Sequence, residues 1–250
     1  MGIFSEREVK YLGITILILT LIFGFNDNAS IFEISHWINN FVLVFIAVTI
    51  SFLAAHFVHK FVAKKHFAIS KYELWNLNRF GFAPHMRTKI MKREFAIPAG
   101  IIFPLLVSIM SNGLWYFPLV GTYEIIEGSV KRTGKIFNKL SGYERAIIYL
   151  SSPLTNLVLF FMFLFLERTT GINFSIFITV NMWMALFALL PIPGLMGAEI
   201  LFGSLPFYLF SVVLFSVSAI IAPLSIWIAI LLALILSSVV VLTYFIGVSK

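Results

Sequence analysis

Long apolar runs recur along this chain, and a run of about 20 residues is enough to cross the ~30 Å hydrocarbon core of a bilayer. In hydrocarbon every backbone N–H and C=O must be satisfied within the protein, so such runs become helices. They read as spans at about 11–25, 41–63, 145–166, 173–191, 205–221 and 224–247. Composition agrees: 60% of the 250 residues are hydrophobic, 12% are charged and 28 are Phe. A soluble domain of this length cannot bury so much apolar surface. The run from Tyr11 to Phe25 is followed by no small-residue cleavage site and reads as a retained helix. The expectation is an all-α polytopic membrane protein.

A further apolar stretch, IPAGIIFPLLVSIMSNGLWYFPLVG from Ile97 to Gly121, is interrupted by Pro98, Pro104 and Pro118 and by an Asn112-Gly113 turn signal. The basic residues decide between a full crossing and a dip. If the N-terminus is cytoplasmic and the stretch re-enters, 17 of the 18 Lys and Arg lie inside, and only Arg168 lies outside. A full crossing flips every later segment and leaves 12 inside. The positive-inside rule selects about six spans, a re-entrant hairpin between the second and third, and both termini cytoplasmic. Irregular backbone at that depth needs shelter from protein or a water-filled cavity. The polar stretches 64–95 and 122–144 are too short for separate domains, so 1–250 reads as a single membrane domain with no internal repeat.

The net charge of +7 does not point to nucleic acid, because the basic residues flank membrane segments. Their expected partner is the anionic face of the lipid bilayer. The chain has no Cys, so any metal falls to His, Glu or the single Asp27. His56 and His59 are three apart near the cytoplasmic end of the second run, on one helix face. A metal pair and a pair of interfacial anchors both fit that spacing. His36, His66 and His85 read as interfacial or loop-borne.

Three segments carry a resemblance. AHFVHKFVAKKHF, from Ala55, resembles the HExxH zinc helix of the site-2 protease family of intramembrane metalloproteases. Ala63, Lys64 and Lys65 match its trailing Ala-basic-basic. SSPLTN, from Ser151, resembles the family's Gly-Pro-Leu-x-Asn helix through Pro153, Leu154 and Asn156. FALLPIPGLMG, from Phe187, resembles its Phe-Asn-Leu-Leu-Pro-x-Pro-x-Leu-Asp-Gly segment through Pro191, Pro193, Leu195 and Gly197 among others. YFPLVGTYEI, from Tyr116, is similar to an aromatic-Pro-Gly element of archaeal members. The resemblance covers a core at 41–203, flanked by 1–40 and 204–250, and it too implies a membrane-dipping hairpin after the first core helix.

What the resemblance implies for chemistry is loss. The family's two His and one Asp ligands, its Glu base and its Asn fall here on Ala55, His59, Met196, His56 and Ala188 in turn. Neither Ala55 nor a thioether serves Zn²⁺ well, and one imidazole does not hold it against water. The expectation is a pseudoprotease: no catalytic residue, no cofactor, and a scaffold that keeps Pro153, Asn156, Pro191, Pro193 and Gly197 as a groove. Its partner would be another membrane protein or a transmembrane helix. The alternative is an active metalloprotease with zinc relocated to His56, His59 and Glu199, its base drawn from Glu94, Glu124 or Glu127. A small transporter is the third reading, weakened by the near absence of charge within the spans.

Overall fold

In the computed structural model, the described residues are 5–27, 29, 33–77, 97–127, 130–132, 135–137 and 140–248. His85 and Glu94 lie outside them. The chain is mostly helical: α1 (Glu6–Gly24), α2 (Ile34–Lys65), α3 (Ala99–Met110), α4 (Gly142–Thr170), α5 (Ser175–Phe187), α6 (Met196–Gly203), α7 (Leu205–Ile221) and α8 (Ile226–Val248). A helix forms over each expected run. Among the described residues three of them, α2, α4 and α8, are long and apolar enough to cross a membrane. The helices α5 and α7 are apolar but shorter.

The periodicity of α2 shows why it packs as it does. Its buried residues include Val44, Ala47, Val48, Ser51, Phe52, Ala55, His56, His59 and Ala63, spaced by three and four. That is one stripe of a helix. The outward face exposes Phe45, Ile46, Ile50, Phe57 and Phe61, a surface suited to hydrocarbon rather than water. α4 is the central helix and packs on α2, α5 and α6. A capping box starts it, with the Ser141 hydroxyl accepting from the Glu144 N–H at 3.2 Å and Glu144 Oε2 accepting from the Ser141 N–H at 3.0 Å. Gly171, in the left-handed region at φ 70°, ends it.

Two strands join this bundle. β1 (Ala68–Leu74) pairs antiparallel with β2 (Gly121–Glu127), with Tyr72 opposite Tyr123. β1 alternates strictly, burying Ala68, Ser70, Tyr72 and Leu74. A short second pair, β3 (Val130–Arg132) with β4 (Lys135–Phe137), follows. These strands occupy parts of the two polar stretches and leave the predominantly helical class intact.

The segment from Ile97 to Gly121 is α3, a turn, and a non-helical return. Asn112 at φ 52° and Gly113 at φ 73° make the turn, and the Gly113 N–H closes it on the Ser108 carbonyl at 2.7 Å. Both ends of the segment meet at Trp75. The Gly100 N–H donates to the Trp75 carbonyl at 2.8 Å, and the Trp75 N–H donates to the Val120 carbonyl at 3.0 Å. Gly100 packs against Val120 so closely that a Cβ there would collide with the Val120 carbonyl. The segment therefore returns to its starting point, the geometry expected of a hairpin.

Pro191 and Pro193 follow the end of α5 and keep the chain out of helix until Met196 opens α6. Gly194 supplies the positive φ (84°) in this turn. Gly197 has a different task, since a Cβ there would strike the carbonyl of Leu190 and the backbone of Leu189 at 2.5 Å. At the far end of α4, the Arg168 guanidinium donates to the carbonyls of Ala222 and Pro223 and ties α4 to the α7–α8 turn.

Candidate functional site: a buried histidine–tyrosine cluster

The buried stripe of α2 points His56 and His59 into the protein, where both are 0% exposed. β2 delivers Tyr123 against them. Its ring stacks on His59 with centroids 3.6 Å apart and planes 18° apart. Its hydroxyl lies 3.3 Å from His56 Nδ1. The Tyr149 hydroxyl of α4 donates to the Tyr123 carbonyl at 2.9 Å, and the Tyr72 hydroxyl of β1 meets Thr15 of α1 at 3.0 Å. Burial pushes the Tyr72 and Tyr123 phenols well above their usual pKa, so both stay protonated donors. Neither ring nitrogen of His59 makes a hydrogen bond of good geometry among the described residues. The backbone of Ile148 is its polar neighbour.

The carboxylate that reaches this cluster is Glu8, in the first turn of α1. It is 3% exposed. Its Oε2 accepts from Lys60 Nζ at 2.8 Å, its Oε1 accepts from the Tyr72 N–H at 3.1 Å, and His56 Nε2 lies 3.7 Å from Oε1. α2 and β1 thus converge on one acid of α1. On its outer side Glu8 borders a polar cleft of about 240 Å³ shared with Arg7, Lys71, Glu73 and Glu124.

The residues singled out from the sequence are distributed unevenly around this cluster. Ala55 is buried in the same stripe as the histidines. Ala188 is buried at the C-cap of α5, and Met196 is half-buried at the start of α6. Glu199 faces Arg145 at 3.9 Å, and Glu127 holds the same guanidinium at 2.7 Å. Glu124 is exposed on β2. His56, His59 and Glu199 do not form a metal-holding group, and among the described residues no cluster of three or more His, Asp or Glu does. His66 sits 3.7 Å from Glu144, and His36 lies 2.9 Å from Asp27. Pro153, Asn156 and Gly197 are buried, whereas Pro191 and Pro193 are exposed, so these five do not line one open surface.

Sequence reasoning missed Glu8, Tyr72, Tyr123 and Asn181. Asn181 Nδ2 donates to Ser51 Oγ and to the Phe177 carbonyl, both at 2.8 Å, and so links α5 to α2. An Asn within an apolar run was a visible signal, since such residues join helices in lipid. Glu8 gave less warning, because an acid in a first helical turn is ordinary. Chemically the cluster can donate from its phenols and hold one largely buried ion pair. Comparison of the chain with models of known protein families, with curated proteins and with solved structures finds no match.

Proposed function

We propose that this protein is a non-catalytic integral membrane scaffold similar to site-2 proteases, with six spans, a re-entrant α3 hairpin and cytoplasmic termini, and that it holds a transmembrane partner. One observation carries the reading. His59, the retained family ligand, has its ring face covered by Tyr123 at 3.6 Å. Tyr123 thus packs directly against a position the family uses for zinc. Of the acids that would balance a dication, Glu8 is ion-paired with Lys60 and Glu199 faces Arg145. A water-activating metal needs an open coordination position and a nearby base, and aromatic packing supports neither. The kinked segment through Pro191 and Pro193 stays exposed, which supports a role in contacting a partner.

Metal content and cleavage test this together. The protein purified without chelator is expected to carry no stoichiometric zinc and to leave a model transmembrane helix uncut. Stoichiometric zinc that disappears in His56→Ala, or chelator-sensitive cleavage abolished by His59→Ala, overturns the reading in favour of a relocated active site.

A further inference from the structure

Between α2 and α4, on the outer face of the bundle, runs an apolar groove of about 400 Å³. Val58 and Val62 form one wall, Ile147, Leu154 and Val158 the other, and Phe207 of α7, whose ring packs on Tyr143, lines it as well. The two hydroxyls along it are satisfied within α4. Ser151 donates to the Ile148 carbonyl at 2.6 Å, and Thr155 donates to the Ser151 carbonyl at 2.8 Å. The groove is more than twice the size of the roughly 150 Å³ apolar cavity that admits benzene.

We infer that this groove seats one acyl chain of an anionic phospholipid, whose phosphate is met by Lys65. Length and charge select this occupant. From Ile147 to Val158 the α4 wall runs about 16 Å at helical rise, about half of a ~30 Å hydrocarbon core. That is the depth of one leaflet, which suits a lipid tail, whereas a crossing helix needs contact over the full thickness. At the Val62–Ile147 end, one turn beyond Val62 on the same face of α2, lies exposed Lys65. Its Nζ sits 4.7 Å over the Phe61 ring, and exposed Lys64 is adjacent. Tyr143, 55% exposed, is one turn before Ile147 on α4. Glu144 at the same mouth is already engaged by the Ser141 N–H and hydroxyl and faces His66. The inference stands apart from the scaffold reading, because none of its residues belongs to the histidine cluster.

The test titrates the delipidated full-length protein in detergent with dioleoyl-phosphatidylglycerol or dioleoyl-phosphatidylcholine and counts bound lipid by native mass spectrometry. One phosphatidylglycerol per chain is expected, bound more tightly than phosphatidylcholine. Lys65→Gln is expected to weaken phosphatidylglycerol roughly fivefold and phosphatidylcholine less, because the choline cation already offsets its phosphate. Leu154→Trp fills the groove and is expected to abolish both. Leu154 and Val158 are 41% and 60% exposed, so Val158→Trp serves as a second filling variant, with thermal unfolding as the check on folding. Equal affinity for the two lipids, or lipid retained in both Trp variants, overturns the inference. So does a dimer whose interface, and not lipid, is lost on Val158→Trp.

Discussion

Glu8 shows how one side chain organises several elements. A buried acid is costly unless paired and hydrogen-bonded, and this one has Lys60, the Tyr72 N–H and His56 around it. Removing one member of a buried pair strands the other. Lys60 is 13% exposed and its stem allows partial escape to water. Glu8→Ala is therefore expected to cost about 2–4 kcal/mol, and Glu8→Gln, which keeps an acceptor for Tyr72, less. Denaturant unfolding in micelles reads both, and an Ala variant as stable as wild type refutes the role. Asp27 gives a test in pH. Its carboxyl is held below the usual range, first by the hydrogen bond with His36 and then by the Ala29 N–H. A lowered folded pKa contributes stability above the unfolded value near ~3.9, lost as pH falls through the lower folded value. His36→Ala should move the Asp27 midpoint upward. The chain has a single Asp, so a carboxyl NMR titration assigns it directly, and an unmoved midpoint rejects the pairing.

At the scale of elements, what the sequence disclosed depended on how local the signal was. α2, α4 and α8 announce themselves because each carries its whole apolar run in one stretch. The turn at Asn112-Gly113 was equally local. The pairing of β1 with β2 was not: Tyr72 and Tyr123 are far apart in sequence, and β1 reads as polar because Lys71 and Glu73 alternate with its buried side. The cluster around His56 stayed hidden for the same reason. Its two histidines lie on one helix, but Glu8, Tyr72, Tyr123 and Tyr149 arrive from four other elements. Gly100 offers the cleanest test at this scale. Gly100→Ala must push the Val120 carbonyl away from α3, and overpacking of this kind costs about 3 kcal/mol. Hydrogen exchange should show the Trp75 and Gly100 amides losing protection together. Unchanged exchange would mean that the two ends of the hairpin are not held by this contact.

For the whole molecule, the proposed topology rests on charge, because it sets 17 of the 18 basic residues on one side. The exception, Arg168, uses its donors on the carbonyls of Ala222 and Pro223. Its position thus has a structural cause. The absence of native Cys makes topology directly measurable. Single cysteines at Lys10, Lys71 and Lys131 should react with an impermeant thiol reagent from the cytoplasmic face, and one at Ile172 from the opposite face. Asn26, just past the far end of α1, donates to the Asn112 carbonyl at 3.2 Å, so the hairpin tip reaches that side without crossing. Labelling at Lys71 and Lys131 from opposite faces is what would mean that the segment crosses fully. The two arms pinned together at Trp75 carry a consequence for how such a chain can vary. A segment that leaves and returns at one point is a detour, and its length has no bearing on the direction in which the chain continues. Residues can be added to or removed from its tip without reversing any downstream helix, so the reach of the hairpin can change while the orientation of the bundle stays constant.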